Sequence, residues 1–354
     1  MKIAIVTDMH IGVRGDSQIF ADHQEKFFRE VFFKYIDEND IKVIFDLGDT
    51  FDRRKFINYV TLKRGKEFFF DQIEKRGIEY HALVGNHCTY YTNTNEVNSM
   101  NLLLKEYKNF HIYESEPKEL TFGSTRVMML PWIAKDNAQI CYDAIKDSTA
   151  HICAAHLELR GFEMMKGQIC THGMEKDIFS NFEQVWSGHF HHPSEYGNIK
   201  YLGSPYEMTW TDYDGVRGFH VFDTETRELT RIRNPFRVFY KIEYDDGDMT
   251  IEDIARLETD NLKDTYIKVI VKNRTNPYLY DLFINKLTDA GAADVKAIED
   301  ALNLESEGVD DILDETQDTK DILHTYIDSL ETNVNKAKIK SVIDELYNEA
   351  STIA

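Results

Sequence analysis

The sequence predicts an α/β fold, and three observations carry that prediction. Short Val- and Ile-rich runs alternate with segments of helical periodicity. The runs are largely apolar, as strands covered on both faces are, and five of the six either end in His or are followed directly by Asp or Asn. In order they span 2–7 (KIAIVT), 41–48 (IKVIFDLG), 78–85 (IEYHALVG), 127–130 (VMML), 151–156 (HICAAH) and 184–189 (QVWSGH). Between them Phe27, Phe28, Val31, Phe32, Tyr35 and Ile36 repeat at helical spacing, as do Leu62, Phe69 and Ile73, and then Leu102, Leu103, Leu104 and Tyr107. Strands and helices in this order describe helices covering a mainly apolar sheet.

Around Pro235 the texture changes. Strand-like 238–245, helical 250–258, strand-like 265–271, helical 278–289 and strand-like 293–298 form a small β-α-β-α-β unit. From Ala297 to Thr319 there is no Lys or Arg while Glu and Asp accumulate, which reads as a solvated connector. A last helical segment follows, with Ile322, Leu323, Tyr326, Ile327 and Leu330 on one stripe. The boundaries expected are therefore 1–234 for the main α/β domain, 235–298 for the small domain, 299–318 for the acidic linker and 319–354 for the terminal helical segment.

Composition narrows the functions available. A chain of 354 residues with 42% hydrophobic content can bury a sizeable core and is long enough for more than one domain. Its net charge of −21 excludes nucleic-acid binding by bulk electrostatics, so an anionic substrate must be drawn in locally. Cys88, Cys141, Cys153 and Cys170 show no CxxC pairing, which fits reduced thiols in a cytoplasmic setting. The first apolar run is too short for a signal peptide, and no run approaches the roughly 18 residues of a membrane span. No GxxxxGK[ST] motif is present, so the chain is not itself a P-loop ATPase.

The chemistry lies where the strands end. Asp8 and His10 follow the first run, Asp49 and Asp52 the second, and Asn86 and His87 the third; His156 closes the fifth, and His189 and His191 follow the sixth. Loops beyond the carboxyl ends of strands in an α/β sheet converge on one crevice, so these residues are candidates for a single site. Carboxylate, imidazole and amide oxygen suit Mn, Fe, Zn or Mg. Residues i and i+2 of an extended segment face the same way, so Asp8 with His10 and His189 with His191 can each reach a common point. Two Asp, one Asn and four His are too many ligands for one ion and about right for two ions bridged by one carboxylate.

The ordered set DMH, GDTFD, GNH, H and GHFH resembles the calcineurin-like metallophosphoesterases. Within that superfamily the chain is similar to the nuclease subunits of double-strand-break repair complexes, the SbcD and meiotic-recombination nuclease family, and to their T-even bacteriophage counterparts. LPW at 130–132, WSGHFH at 186–191 and YLGSPYEMT at 201–209 carry that narrower match. The resemblance implies a layered α/β sandwich core with a small α+β capping domain and a C-terminal helical extension. It implies that Asp8, His10 and His191 hold one metal, that Asn86, His156 and His189 hold the second, that Asp49 bridges them, and that His87 is the catalyst beside the scissile phosphate. The ions implied are two divalent metals, Mn first and Mg as the alternative.

The activity implied is a DNA nuclease subunit, a 3′-to-5′ exonuclease on duplex ends and an endonuclease on single strands, serving recombination, repair and recombination-dependent replication. The partners implied are DNA, an SMC-like coiled-coil ATPase of the SbcC/Rad type and a second copy of the chain. Two other functions fit the same motifs: a nucleotide phosphodiesterase or phosphatase, and a catalytically weak scaffold for DNA ends. Arg53, Arg54 and Lys55, directly after the second motif, are candidate phosphate contacts or else a solvated helix start, and Arg14 in the first loop has a weaker claim. The consecutive Phe68, Phe69 and Phe70, and Leu102 to Leu104, are either a dimer face or a wide core-facing stripe. The terminal helical segment either lays its stripe on the ATPase or docks on its own chain.

Cys88 departs from the family pattern, which has an acidic residue there. As a thiol it is either a small buried residue behind the loop or a soft ligand shifting the site towards Zn. Asp52 is then the candidate for orienting His87, since a carboxylate on one ring nitrogen sets the tautomer of the other.

Overall fold

The structure, a computed structural model, describes residues 1–299 other than Lys166, together with 327, 336, 338–340, 342 and 343. The acidic linker beyond Glu299 and most of the terminal helical segment lie outside the described residues. The chain divides into two compact units, Met1–Met208 with Asp212–Tyr240, and Thr209–Thr211 with Lys241–Ala354.

Strands of the first unit are, in chain order, β1 (Lys2–Val6), β2 (Val43–Asp46), β3 (Glu79–Leu83), β4 (Phe110–Tyr113), β5 (Lys118–Phe122), β6 (Thr125–Leu130), β7 (Ile152–His156), β8 (Glu163–Met165), β9 (Gln168–Ile169), β10 (Gln184–Gly188), β11 (Ser194–Tyr196), β12 (Ile199–Tyr201), β13 (Gly218–Asp223) and β14 (Leu229–Arg233). The six runs read from the sequence are six of these, but they do not form one sheet. β1, β2 and β3 lie in a sheet of order β14-β13-β1-β2-β3-β4, and β6, β7 and β10 in a second of order β11-β12-β10-β7-β6-β5. Within each trio the pairing is parallel.

Side-chain alternation explains the layering. Along β1, Ile3 and Ile5 point one way, into a core shared with Phe45, Leu83, Val127, Met129, Ile152 and Trp186 from both sheets. Ala4 and Val6 point the other way, under a helical layer that contributes Phe27, Phe28, Phe32 and Phe69. On the far side of the second sheet, Cys153, Ala155 and Val185 pack with Cys141 and Ile145 of the helix Ala138–Asp147. Both faces of both sheets are thus covered, which is why the strands read as continuous apolar runs rather than alternating ones.

The helical layer over the first sheet decides between the two readings of the phenylalanine triplet. Phe68, Phe69 and Phe70 are all buried, so the triplet faces the core and is not an exposed dimer face. They occupy a π-helical turn, Lys66–Phe70, set between the helices Tyr59–Gly65 and Asp71–Lys75. A π turn holds more residues per turn than an α turn, so each step rotates the chain less and consecutive side chains stay on the core side. The partner helix repeats the device with the π turn Phe28–Phe32, and Phe28 meets Phe69 at 4.7 Å between ring centroids and stacks on Phe68 at 5.6 Å. Leu102, by contrast, is 69% exposed while Leu104 is buried.

The second unit carries, from Lys241 on, the sheet β15-β16-β17, with β15 (Phe239–Asp245, its first two residues counted with the first unit), β16 (Tyr266–Asn273) and β17 (Asp294–Ile298), and the helices Ile251–Ala255 and Pro277–Asp289. Both helices start as local chemistry dictates. Thr250 and Asp253 form a reciprocal capping box, and the Asn276 side chain accepts from Tyr278 and Leu279 with Pro277 at the first helical position. Ile267, Val269, Phe283 and Leu287 are buried in it. The strand and helix order is the β-α-β-α-β read from the sequence.

Candidate metal centre

The loops that follow β1 and β2 are zipped together by main-chain hydrogen bonds. Asp8 donates to Gly48 O at 3.0 Å, His10 to Asp49 O at 2.9 Å and Ile11 to Thr50 O at 2.9 Å. This ladder beyond the strands brings Asp8, His10 and Asp49 to one place. Asn86 and His87 open a 3-10 turn after β3, and the second sheet supplies His156 at the end of β7 and His189 after β10, whose Gly188 pairs in register with His156. Close approach is built in at Gly188, where a β-carbon would lie 2.0 Å from Thr7 Oγ1. Any larger residue would push the two sheets' site loops apart.

Asp8, His10, Asp49 and His189 all have positive φ, at 51°, 43°, 52° and 85°. Non-glycine residues held there are uncommon and strained, and such strain clusters at functional sites.

The seven candidate ligands fall into two groups that meet at Asp49. Asp8, His10 and His191 offer ligand atoms within 4.8 Å of one another, as do Asp49, His156 and His189. In the second group His156 Nε2 lies 3.1 Å from Asp49 Oδ2 and 2.9 Å from Asn86 Oδ1, while His189 Nδ1 lies 3.0 Å from the same Asn86 oxygen. In the first, Nε2 of His10 and Nε2 of His191 face each other at 3.0 Å, and His10 Nε2 is 4.0 Å from Asp49 Oδ2. Two imidazole nitrogens aimed at each other inside a buried site are satisfied only by a cation between them, a proton or a metal ion. The remaining oxygens of the carboxylates are fixed by the protein: Asp8 Oδ1 accepts from His189 N and Asp49 Oδ1 from His87 N, both at 2.9 Å.

The electrostatics follow from that crowding. Burial works against a charge on His10, but its hydrogen bond to Asp52 and the charges of Asp49, Asp52 and Asp8 raise it to about 9. Burial and the neighbouring His10 push His191 down to about 4. Asp49 is held well below the usual carboxylate range because His156, His87 and His10 outweigh its burial. Carboxylates and imidazoles in this ratio form a cation trap, and oxygen and nitrogen donors in two sets sharing one carboxylate fit a pair of divalent ions.

Contacts behind these residues decide their orientation. His156 Nδ1 is fixed by Leu47 O at 2.7 Å. The Asp52 carboxylate does not do what the sequence suggested. Its Oδ1 lies 3.2 Å from Nδ1 of His10, whereas His87 Nδ1 pairs with the main-chain oxygen of Asp52 at 2.6 Å. Asp52 therefore orients His10 by its side chain and His87 by its backbone, because the GDTFD loop turns its carboxylate under the first motif. His87 Nε2 points inward, 4.0 Å from Asp49 Oδ2, with its ring edge-on to His10. Cys88 is fully buried in the core behind this turn, where burial pushes its thiol up to about 12, and it belongs to none of the ligand groups of the described residues, which fits a small packing residue.

The basic candidates are mostly committed within the protein. Arg14 Nε donates to Met208 O, Arg53 pairs with Asp16 at 3.0 Å, and Arg54 donates to Thr89 O at 3.0 Å. Lys55 is exposed, with its ammonium over the Tyr90 ring. Arg53, Arg54 and Lys55 do not start a helix; the next one begins at Tyr59 behind the Asn58 cap.

Two site residues escaped the sequence reading. Glu158 Oε2 lies 3.7 Å from His189 Nε2, on the ring nitrogen opposite the one that faces Asn86. Trp132 sits beside His189 and His156, at 5.2 and 5.9 Å between ring centroids. Each left a signal: Glu158 follows His156 at i+2, and Trp132 follows β6 as the ligand candidates follow their strands.

Comparison with known proteins agrees with this geometry. The calcineurin-like phosphoesterase family matches residues 1–220. Exonuclease subunit 1 of Enterobacteria phage T4 is 30% identical over 99% of this chain and 100% of its own length. Among solved structures, an archaeal phosphodiesterase covers 66% of this chain and all of its own at 14% identity and a TM-score of 0.35. A purple acid phosphatase from yellow lupin seeds covers 65% of this chain and 52% of its own at 12% identity and a TM-score of 0.38. The motif order, the two ligand groups and a match extending over the first 220 residues agree. This chain belongs to the calcineurin-like phosphoesterases.

Proposed function

We propose that the chain is the nuclease subunit of an ATP-driven DNA-processing complex, cleaving phosphodiesters as a 3′-to-5′ exonuclease on duplex ends and an endonuclease on single strands. The observation that carries this reading is the pair of ligand groups meeting at Asp49 with His87 beside them, in a chain alignable end to end with a phage protein named as an exonuclease subunit. Asp8, His10 and His191 would hold one ion, Asn86, His156 and His189 the other, and Asp49 both. Bound there, two divalent ions, Mn first and Mg as the alternative, supply Lewis acidity at the phosphoryl oxygens and an acidified water for attack on phosphorus.

The protein's own residues do the rest. The Asp52 carbonyl at Nδ1 of His87 takes that nitrogen's proton as a hydrogen bond, which leaves Nε2 facing the site. Protonated there, His87 stabilises the phosphoryl oxygens and delivers its Nε2 proton to the departing 3′ oxygen. Lys55 with Tyr90 offers an exposed cation and an aromatic face for a strand reaching the site, and Arg54 ties that loop to the turn after His87. In a chain of −21 net charge, most of the contact with DNA would come from the partner.

Pairing with a second copy is supported by the exposed Tyr59, Val60 and Leu102 on the helices near the second and third motifs. The small domain, read from the sequence as 235–298, would position DNA, and the segment after the acidic linker would bind the coiled-coil ATPase. A chain truncated at Gly308 loses the ATPase in a pull-down on this reading.

The deciding experiment incubates the purified chain and Mn²⁺ with end-labelled duplex DNA, beside a small phosphodiester and a nucleoside monophosphate. Progressive shortening of the DNA is the expected result. Hydrolysis of the small esters with the DNA left whole would replace the nuclease reading with the phosphodiesterase one, and no hydrolysis of any of them would leave the scaffold.

A further inference from the structure

A third cluster of metal-binding side chains lies outside the two groups that meet at Asp49. Glu158, Cys170 and His172 offer a carboxylate oxygen, a sulfur and an imidazole nitrogen within 4.8 Å of one another. Cys170 Sγ is 3.6 Å from His172 Nδ1, and the same ring nitrogen is hydrogen-bonded to Glu158 Oε1. The three residues come from two backbone segments laced together around them. Gly161 donates to Cys170 O at 2.8 Å, Cys170 to Phe162 O at 2.8 Å, Met174 to Glu158 O at 2.9 Å and Arg160 to Met174 O at 3.0 Å. Gly173, at φ +87°, lets the segment lie directly on its neighbour, since a β-carbon there would be 2.5 Å from Glu158 O. The ligand atoms are therefore held together by the main chain rather than gathered by long side chains.

We propose that Glu158, Cys170 and His172 form a separate metal site of the zinc-accepting kind at the rim of the main centre. The donor set makes the distinction. The main centre has oxygen and nitrogen donors only, whereas a thiolate selects soft and borderline ions such as Zn²⁺ over Mn²⁺ or Mg²⁺. Three protein ligands from Cys, His and Glu leave a fourth tetrahedral position for water. Binding forms the metal–sulfur bond and releases the Cys170 thiol proton to solvent, with no change in oxidation state. Cys170 is buried and His172 exposed, so the ion would enter from the His172 side. Glu158 faces both sites, with Oε1 toward His172 and Oε2 toward His189. The proposal stands whether or not the main centre cleaves DNA.

The test uses the full chain with its main centre already saturated with Mn²⁺, titrated with Co²⁺ as a spectroscopic stand-in for Zn²⁺. Thiolate bound to Co²⁺ gives a near-ultraviolet charge-transfer band that oxygen and nitrogen ligands do not. The native chain should develop that band at one equivalent and lose it when Zn²⁺ is added. Cys170→Ser should abolish it. Because Cys170 is buried, His172→Ala, at an exposed position, is the independent variant, and it should weaken Co²⁺ binding by about tenfold or more. Absence of the band in the native chain overturns the proposal, and so does a band unchanged in Cys170→Ser or in His172→Ala.

Discussion

The two halves of the candidate metal centre are supported differently. On one side His10 is held by the carboxylate of Asp52, a neighbour along the ladder that joins the first two motif loops of a single sheet. On the other side His156 is held by the Leu47 carbonyl and His189 faces the partly exposed carboxylate of Glu158, so that although both halves draw on both sheets, this one also leans on a residue near the surface. The first half is supported from inside the protein and the second partly from its rim. The teaching is that similar imidazoles need not be equally robust as candidate ligands: each half should respond to loss of its own orienting carboxylate and not to loss of the other's.

The largest effect should come from the residue that erases the distinction. Asp49→Ala removes the shared carboxylate, and we expect kcat to fall by at least about a thousandfold, with bound metal lost from both halves by elemental analysis. Next is His87→Ala, which leaves both halves intact: kcat should drop by about 10²–10⁴ while Mn²⁺ affinity by calorimetry is unchanged. A fall in affinity equal to the fall in kcat would make His87 a ligand and redraw the halves. Asp52→Asn and Glu158→Gln sharpen the comparison directly. Each should weaken one of two resolved Mn²⁺ binding steps by about 10–100-fold, a different step in each variant. If both variants weaken the same step, the division is wrong.

The smallest effect lies away from the site and supplies a baseline for stability. Burial and the neighbouring Arg231 hold His220 down to about 3, and burial with His111 holds His81 down to about 4. Both ordinarily titrate at 6.5, so below pH 6.5 the unfolded chain takes up protons that the folded chain refuses. Stability of the metal-free chain should therefore decline as pH falls from about 6.5 towards 4, as read by urea denaturation. His220→Gln, which keeps an acceptor for the Arg231 Nε donor 3.1 Å away, should make that decline shallower.

How much of this was legible beforehand depends on what each feature demands of the sequence. Ligand candidates were legible because few residue types bind such ions and each sits just past an apolar strand. Their orienting partners were not, since any carboxylate in a loop can turn several ways, and Asp52 turned to His10 rather than His87. The division into two sheets was hidden because an apolar run records that both faces are covered, not by what. β13 was missed although it pairs with β1 in the centre of a sheet, because buried His220 interrupts its apolar pattern opposite Ile5. The phenylalanine triplet stayed open between a dimer face and a core-facing stripe because helical periodicity assumes an α turn, and Lys66–Phe70 is not one.

The left-handed backbone at Asp8, His10, Asp49 and His189 has a consequence for how this chain can drift over evolutionary time. Each such residue costs on the order of 1–2 kcal/mol that glycine would not. Selection for folding alone therefore favours replacing four of the site's own residues, while selection for turnover retains them. A descendant released from its chemistry should become more thermostable as it loses these side chains, so an intact set together with modest heat resistance is the mark of a lineage still under catalytic selection.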